Sequence, residues 1–166
     1  RLGRREISRA CLEAAVTELQ FERGVFYWVD HDAREIRGEC VFGAASAGFT
    51  DESVLSRRVR LDSDDILAHV VRGGRAINVA DGSADPRCSP EFLNAIRSRA
   101  FCLAPIPGRD RVQGVIGVDR PSSGGPVPEV MAQSLVLFCG AAGLALENAR
   151  LLDGIVESEN RFRTAV

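Results

Sequence analysis

Ile7, Cys11, Leu12, Ala15, Val16 and Leu19 recur at helical spacing near the start of the chain, which predicts a helix over residues 4–20. The period then changes. After Gly24, the positions Val25, Tyr27 and Val29 alternate with Phe26 and Trp28 in a segment dense in β-formers. Residues 31–34 read as a hairpin turn, and a second strand follows over 35–42. Residues 43–51 are small and polar and read as a loop. Thr50 is the candidate cap of a short helix over 51–57, and 58–61 read as a short edge strand. Asp62 or Ser63 is the expected cap of a helix over 64–71, which Gly73 and Gly74 stop. Next come a short strand over 76–79, a loop over 81–88 rich in Asp, Gly, Ser and Pro, and a helix over 91–97 opened by Ser89 and Pro90. Strands over 100–106 and 112–119 form a hairpin, and Gly114 and Gly117 in the second point to a closely packed neighbour. Pro128 opens a last helix that runs to about residue 160 and is on the order of 50 Å long.

Hairpin-joined strands between long helices from opposite ends of the chain predict an α+β fold. Its core is a central antiparallel sheet of five or six strands. The N- and C-terminal helices cover one face, and the short helices and loops cover the other. A cavity falls between the sheet and the middle loops, and its candidate lining is Trp28, Phe42, Ile66, His69, Cys88, Phe92 and Phe101. Core packing is the competing reading for the aromatic side chains. In the last helix Leu135, Phe138, Ala142, Ala145, Ala149, Leu152 and Val156 step alternately by three and four, a heptad stripe expected to join a homodimer. Leu137, Ala141, Leu144, Leu151 and Ile155 make a second, adjacent stripe that Asn148 interrupts. One stripe is enough to pack on a sheet; a second suits a partner helix.

Composition narrows the chemistry. The 166 residues carry a net charge of −2, without the basic footprint that nucleic-acid binding needs. All 21 cations are Arg, so no Schiff-base or P-loop lysine exists. No uninterrupted apolar run reaches the roughly 18 residues of a membrane span, and the expected location is cytoplasmic. The chain opens on Arg1 rather than Met and reads as a piece of a longer protein. The cysteines are Cys11, Cys40, Cys88, Cys102 and Cys139, an odd number without CxxC spacing. Zinc-ribbon and thioredoxin-type sites are thereby excluded, and buried reduced thiols are expected. Cys88 is the candidate reactive thiol, because Arg87 and the following helix N-terminus would lower its pKa. His31 and His69 are too few for a metal cluster, and Asp62, Asp64 and Asp65 read as acids at a helix N-terminus. Neither a Ser/His/Asp nor a Cys/His pair has motif context, so no catalytic residue and no metal ligand is assigned.

The segment Ala100-Phe101-Cys102-Leu103-Ala104-Pro105-Ile106, the polar turn after it, and Val112-Gln113-Gly114-Val115-Ile116-Gly117-Val118-Asp119 follow one pattern. A strand ends in Pro-hydrophobic, and its partner carries Gly-hydrophobic-hydrophobic-Gly. With Ala145-Leu146-Glu147-Asn148-Ala149-Arg150-Leu151 in the last helix, this resembles a GAF domain over residues 4–157. The resemblance implies a regulatory sensor fold that dimerises through its terminal helices and binds a small ligand, carries a chromophore, or only relays strain. Residues 157–166 resemble the opening of a PAS domain. That divides the chain at 1–157 and 158–166 and implies a parent signalling protein. The parent class expected first is a two-component sensor histidine kinase with ATP-dependent phosphotransfer in other domains; a diguanylate cyclase is the alternative.

Bilin-binding relatives place their chromophore cysteine about twelve residues before the next strand, which is where Cys88 stands. Against a bilin, Ser89 replaces the usual His or Tyr, and the Asp-Ile-Pro motif is missing. A haem or iron site would rest on His69 alone. The Asn-Lys…Phe…Asp-Glu signature of cyclic-nucleotide binding is absent. A reductase of the methionine-sulfoxide type would need Cys88 and Cys102 as its thiol pair. The sequence requires no cofactor. It leaves a ligand sensor, a ligand-free dimeric relay, and a thiol or chromophore sensor through Cys88 as the readings to separate.

Overall fold

The computed structural model describes residues 3–43 and 51–165. The expected cap Thr50 and the loop from residue 44 onward lie outside the described residues. Five α-helices and six strands occur among the described residues. They are α1 (Arg4–Glu18), β1 (Arg23–Asp30), β2 (Glu35–Phe42), α2 (Asp51–Leu55), β3 (Arg58–Arg60), α3 (Ile66–Gly73), β4 (Ile77–Val79), α4 (Pro90–Ile96), β5 (Phe101–Pro107), β6 (Val112–Asp119) and α5 (Glu129–Ala165). The strands form one antiparallel sheet in the order β3-β2-β1-β6-β5-β4.

Apolar residues on both faces of β1 and β6 make these the buried centre of the sheet, and all eight positions of β6 are buried. On one face α1 and α5 contribute Leu12, Val16, Leu135, Cys139 and Leu146, packed with Phe26 and Ile116. On the other, Ile66 and Val70 of α3 and Phe92 of α4 pack with Tyr27, Phe101 and Val115. The expected α+β sandwich, with terminal helices on one side and short elements on the other, is what forms. Gly117 lets the strands close up, since a Cβ there would stand 2.9 Å from the Leu103 side chain.

Several boundaries differ from expectation. The cap of α3 is Asp65, not Asp62 or Ser63: its Oδ1 accepts from the Leu67 N–H at 2.9 Å, while Asp62 pairs with Arg60. Gly74 ends that helix at φ 64°, in the left-handed conformation glycine permits. Ser89 Oγ caps α4 by accepting from the Phe92 N–H at 3.0 Å. A bulge interrupts the β1–β2 pair: Phe26 faces Cys40 and Tyr27 faces Gly38, leaving Glu39 as an extra residue on β2. Helix α5 continues to Ala165, through the segment that resembles a PAS opening. By length and composition α5 is apolar enough to cross a membrane over residues 129–163, contrary to the run-based expectation. The reason is that its apolar residues serve two opposite faces, one of which packs on the sheet.

Candidate functional site

The seven candidate lining residues do not converge. Trp28 lies on the terminal-helix face: its Nε1–H donates to Ser8 Oγ at 2.8 Å, and the Arg4 guanidinium lies 4.4 Å from its ring centre. Phe42 packs on that same face. Ile66, Cys88, Phe92 and Phe101 belong to the opposite face, where the rings of Phe92 and Phe101 meet edge to face at 5.6 Å. His69 is half-buried on α3 and lines neither of the cavities described below.

The space between the sheet and α4, lined in part by Tyr27, Phe92, Phe101 and Leu103, amounts to only about 30 Å³. That is room for a water or two, whereas ligand pockets run to roughly 300–1,000 Å³. A tetrapyrrole does not fit there, and the aromatic residues act as core.

The thiols are also not activated. Cys88 is 7% exposed, and burial, with Asp85 adding to it, pushes its pKa up to about 11. Arg87 acts in the lowering direction, but its guanidinium is held bidentate by Asp85 at 3.0 and 2.7 Å. This corrects the expectation of a lowered pKa. Cys102 packs on the opposite sheet face from Cys88, so the two cannot serve as an attacking and resolving pair. His31 is structural, with Nε2–H donating to the Val112 carbonyl at 2.7 Å. Among the described residues no cluster of three His, Cys, Asp or Glu could hold a metal ion.

A larger cleft, about 790 Å³, opens between α4 and the connection from β6 to α5. Arg97, Arg99 and Arg120 line it with Ser83, Asn94 and Ser98; Asp81 is its carboxylate, and Cys88 stands at its margin. Arg120 makes a long contact, 3.6 Å, to Met131 Sδ. Sequence reasoning missed these arginines because nothing in the local pattern joins residues 97–99 to residue 120. Arg23, the first residue of β1, borders the smaller cavity instead. It reaches Asp119 through Nε and Nη2 at 2.7 and 2.8 Å and donates to the Ile96 carbonyl at 2.7 Å.

The second candidate surface is α5. The expected dimer stripe splits: Leu135 is fully buried on the domain's own sheet, and Phe138 and Ala142 are half-buried with it. The face that reaches solvent carries Leu137, Leu144, Leu151 and Ile155, with Leu137 76% exposed. At the closest approach of α5 to the sheet, a Cβ on Gly143 would run into the Pro107 carbonyl. There Gln113 Nε2 donates to the carbonyls of both Pro107 and Gly143, at 2.9 and 3.1 Å. One buried amide thus ties β5, β6 and α5 together.

These features can be set beside known proteins. No curated protein matches the chain in sequence. The fold matches the structure of a GAF/HD domain protein from Geobacter sulfurreducens at 14% identity and TM-score 0.74, over 90% of this chain and 95% of that one. It matches the blue-light absorbing form of the Thermosynechococcus elongatus PixJ GAF domain at 18% identity and TM-score 0.74, over 95% and 93% of the two chains. It also matches residues 122 to 287 of a methyl-accepting chemotaxis protein at 22% identity and TM-score 0.71, over 89% of each chain. The GAF domain family model matches residues 2–147, nearly the whole folded unit, and the chain therefore belongs to the GAF family of regulatory, signal-sensing domains.

Proposed function

We propose that this domain is a dimeric relay in a bacterial sensor protein, a two-component sensor histidine kinase, and that it passes a signal to downstream PAS and kinase modules through α5. The observation that carries this reading is that α5 is apolar on two opposite faces, only one of which its own sheet covers. The helix extends about 28 Å, at 1.5 Å per residue, beyond Leu146, the last residue in the core cluster. A helix that leaves its domain with exposed Leu151, Leu152, Ile155 and Phe162 needs a partner to cover them. Gln113 and Gly143 supply the mechanical link, since any shift of the β5–β6 hairpin pulls on the middle of α5. The setting is cytoplasmic, and the phosphotransfer chemistry belongs to other domains of the parent.

Sedimentation equilibrium tests the reading. The chain is expected to form a dimer, and Leu151→Glu to form a monomer with an unchanged far-UV spectrum. A wild-type chain that stays monomeric at several hundred micromolar would end the proposal.

The cleft favours a ligand-sensing version of the same role. Three arginines outnumber the cleft's one carboxylate, Asp81, and the segment from Arg120 to Pro126 that forms one wall leads directly into α5. The chemistry suits a small polyanion, phosphate-bearing or polycarboxylic. Titration calorimetry with inorganic pyrophosphate is expected to show binding that weakens at least tenfold in Arg99→Ala, as expected for loss of a charge-assisted hydrogen bond worth about 1.5–3 kcal/mol. Absence of heat at millimolar pyrophosphate would leave only the ligand-free relay.

A further inference from the structure

Ten positions of α5, from residue 130 to residue 162, follow an unbroken alternation of four and three: 130, 134, 137, 141, 144, 148, 151, 155, 158 and 162. One half of this set is Val130, Leu137, Leu144 and Leu151, seven residues apart, with Ser158 at the end. The other half holds Ala141, Asn148, Ile155 and Phe162, after Ser134 at the start. At 100° per residue the stripe is centred about 180° away from the Leu135–Cys139–Leu146 face that packs on the sheet. Its large apolar members are exposed, Leu144 by 66% and Phe162 by 75%. A face that only has to cover a sheet or meet a globular partner has no need of a strict 3.5-residue repeat over more than four heptads. A second helix supercoiled against it does.

Building on the dimer proposed above, we infer that two copies of α5 form a parallel, in-register, two-stranded coiled coil in which the Asn148 side chains of the two chains face each other. The position of Asn148 decides the occupant and its direction. Its amide has two N–H donors and one carbonyl acceptor, set in the middle of an apolar stripe between Leu144 and Leu151. Against lipid, against an apolar groove, or against an antiparallel copy offset from itself, those groups would be buried opposite carbon. Against Asn148 of an in-register copy, each amide donates to the other. In heptad terms Leu137, Leu144 and Leu151 occupy d, while Asn148 and the β-branched Ile155 occupy a. Leucine at d with β-branched residues at a favours two strands, and a lone Asn at a fixes register at some cost in stability. Beside the seam, a Cβ on Gly140 or Gly154 would meet nothing within 4 Å, so no side chain there holds the helices apart.

Disulfide trapping separates this arrangement from dimerisation as such. The native thiols can stay, because four of the five are buried and Cys11 is half-buried. Leu144→Cys is expected to cross-link to itself under mild oxidation. A mixture of Leu137→Cys and Leu151→Cys chains is expected to give self-cross-links and no mixed product. A mixed product, or a chain that sediments as a dimer without the Leu144→Cys cross-link, overturns the parallel register and leaves the dimeric relay standing. A monomer overturns both. Asn148→Leu provides the second readout: association is expected to tighten by about tenfold or more, with trimers or tetramers appearing beside the dimer. An unchanged dimer of unchanged affinity would remove Asn148 from its proposed role.

Discussion

Replacing Asp119 with alanine is expected to destabilise the domain by about 3–5 kcal/mol, the cost of leaving a buried charge without its partner. Arg23 is 2% exposed, and its guanidinium has been taken out of water into a frame of fixed acceptors. Two of its bonds go to Asp119 and a third to the carbonyl at the end of α4. Without the carboxylate, the guanidinium must drag water inward or pull β1 away from the end of β6. In urea the midpoint should fall with little change in slope. The double variant Arg23→Met with Asp119→Leu should recover most of the loss, because an apolar pair removes both charges together. A loss below 1 kcal/mol for Asp119→Ala would show that the pair is solvated and behaves as a surface ion pair.

Phe92→Ala should have a comparable effect, about 3–5 kcal/mol. The ring is 1% exposed and joins three parts of the fold. It meets Phe101 of the sheet edge to face and carries the Arg57 guanidinium 4.8 Å from its ring centre. Arg57 in turn pairs with Asp65, the cap of α3, at 2.9 Å. Truncation enlarges the small cavity beside the ring and loosens α4 from both neighbours. Phe92→Leu, which keeps most of the volume, should cost under about 1.5 kcal/mol. These values separate a core aromatic from the wall of an open pocket. A ring that lined a solvent-filled site could be cut back to alanine for about 1 kcal/mol or less, and that outcome would restore the sheet-face pocket as a ligand site.

The elements of this fold were legible because each carries its own period and its own punctuation. Pro90, Gly74 and the alternation from Val25 to Val29 act locally, and they place helix starts, stops and strands within a few residues. Which face a strand residue occupies is a different matter. Phe42 would share a face with Ile36 if β2 were regular. The extra residue at Glu39 reverses the parity, so Ile36 faces α3 while Cys40 and Phe42 face α1. That bulge arises from pairing with β1 and has no local signature. Trp28 follows Phe26 to the helix side because β1 is apolar on both faces, and composition alone does not orient such a strand. On α5 both heptad stripes were visible, but how the sheet divides them was not. The stripe starting at Leu135 packs on the domain's own sheet only through Leu135, Phe138 and Ala142, whereas Leu152 and Val156 are exposed, and the stripe containing Leu137 and Leu144 is turned outward. Periodicity gives the angle between two stripes; only the position of the sheet says which is inside.

The order of the strands also governs how the domain comes into being. The pair at the centre of the sheet, β1 with β6, joins residues 96 positions apart at Arg23 and Asp119. At roughly 5–20 residues per second on the ribosome, β1 and β2 wait on the order of 5–20 s before their central partner exists. During that interval Val25, Phe26, Tyr27 and Val29 belong to a hairpin with one open, apolar edge, the situation in which nascent chains are most exposed to wrong pairing. Closing a loop of that length makes the central pairing slow as well as late. Helix α5, by contrast, is built from local contacts and can form as quickly as it is made.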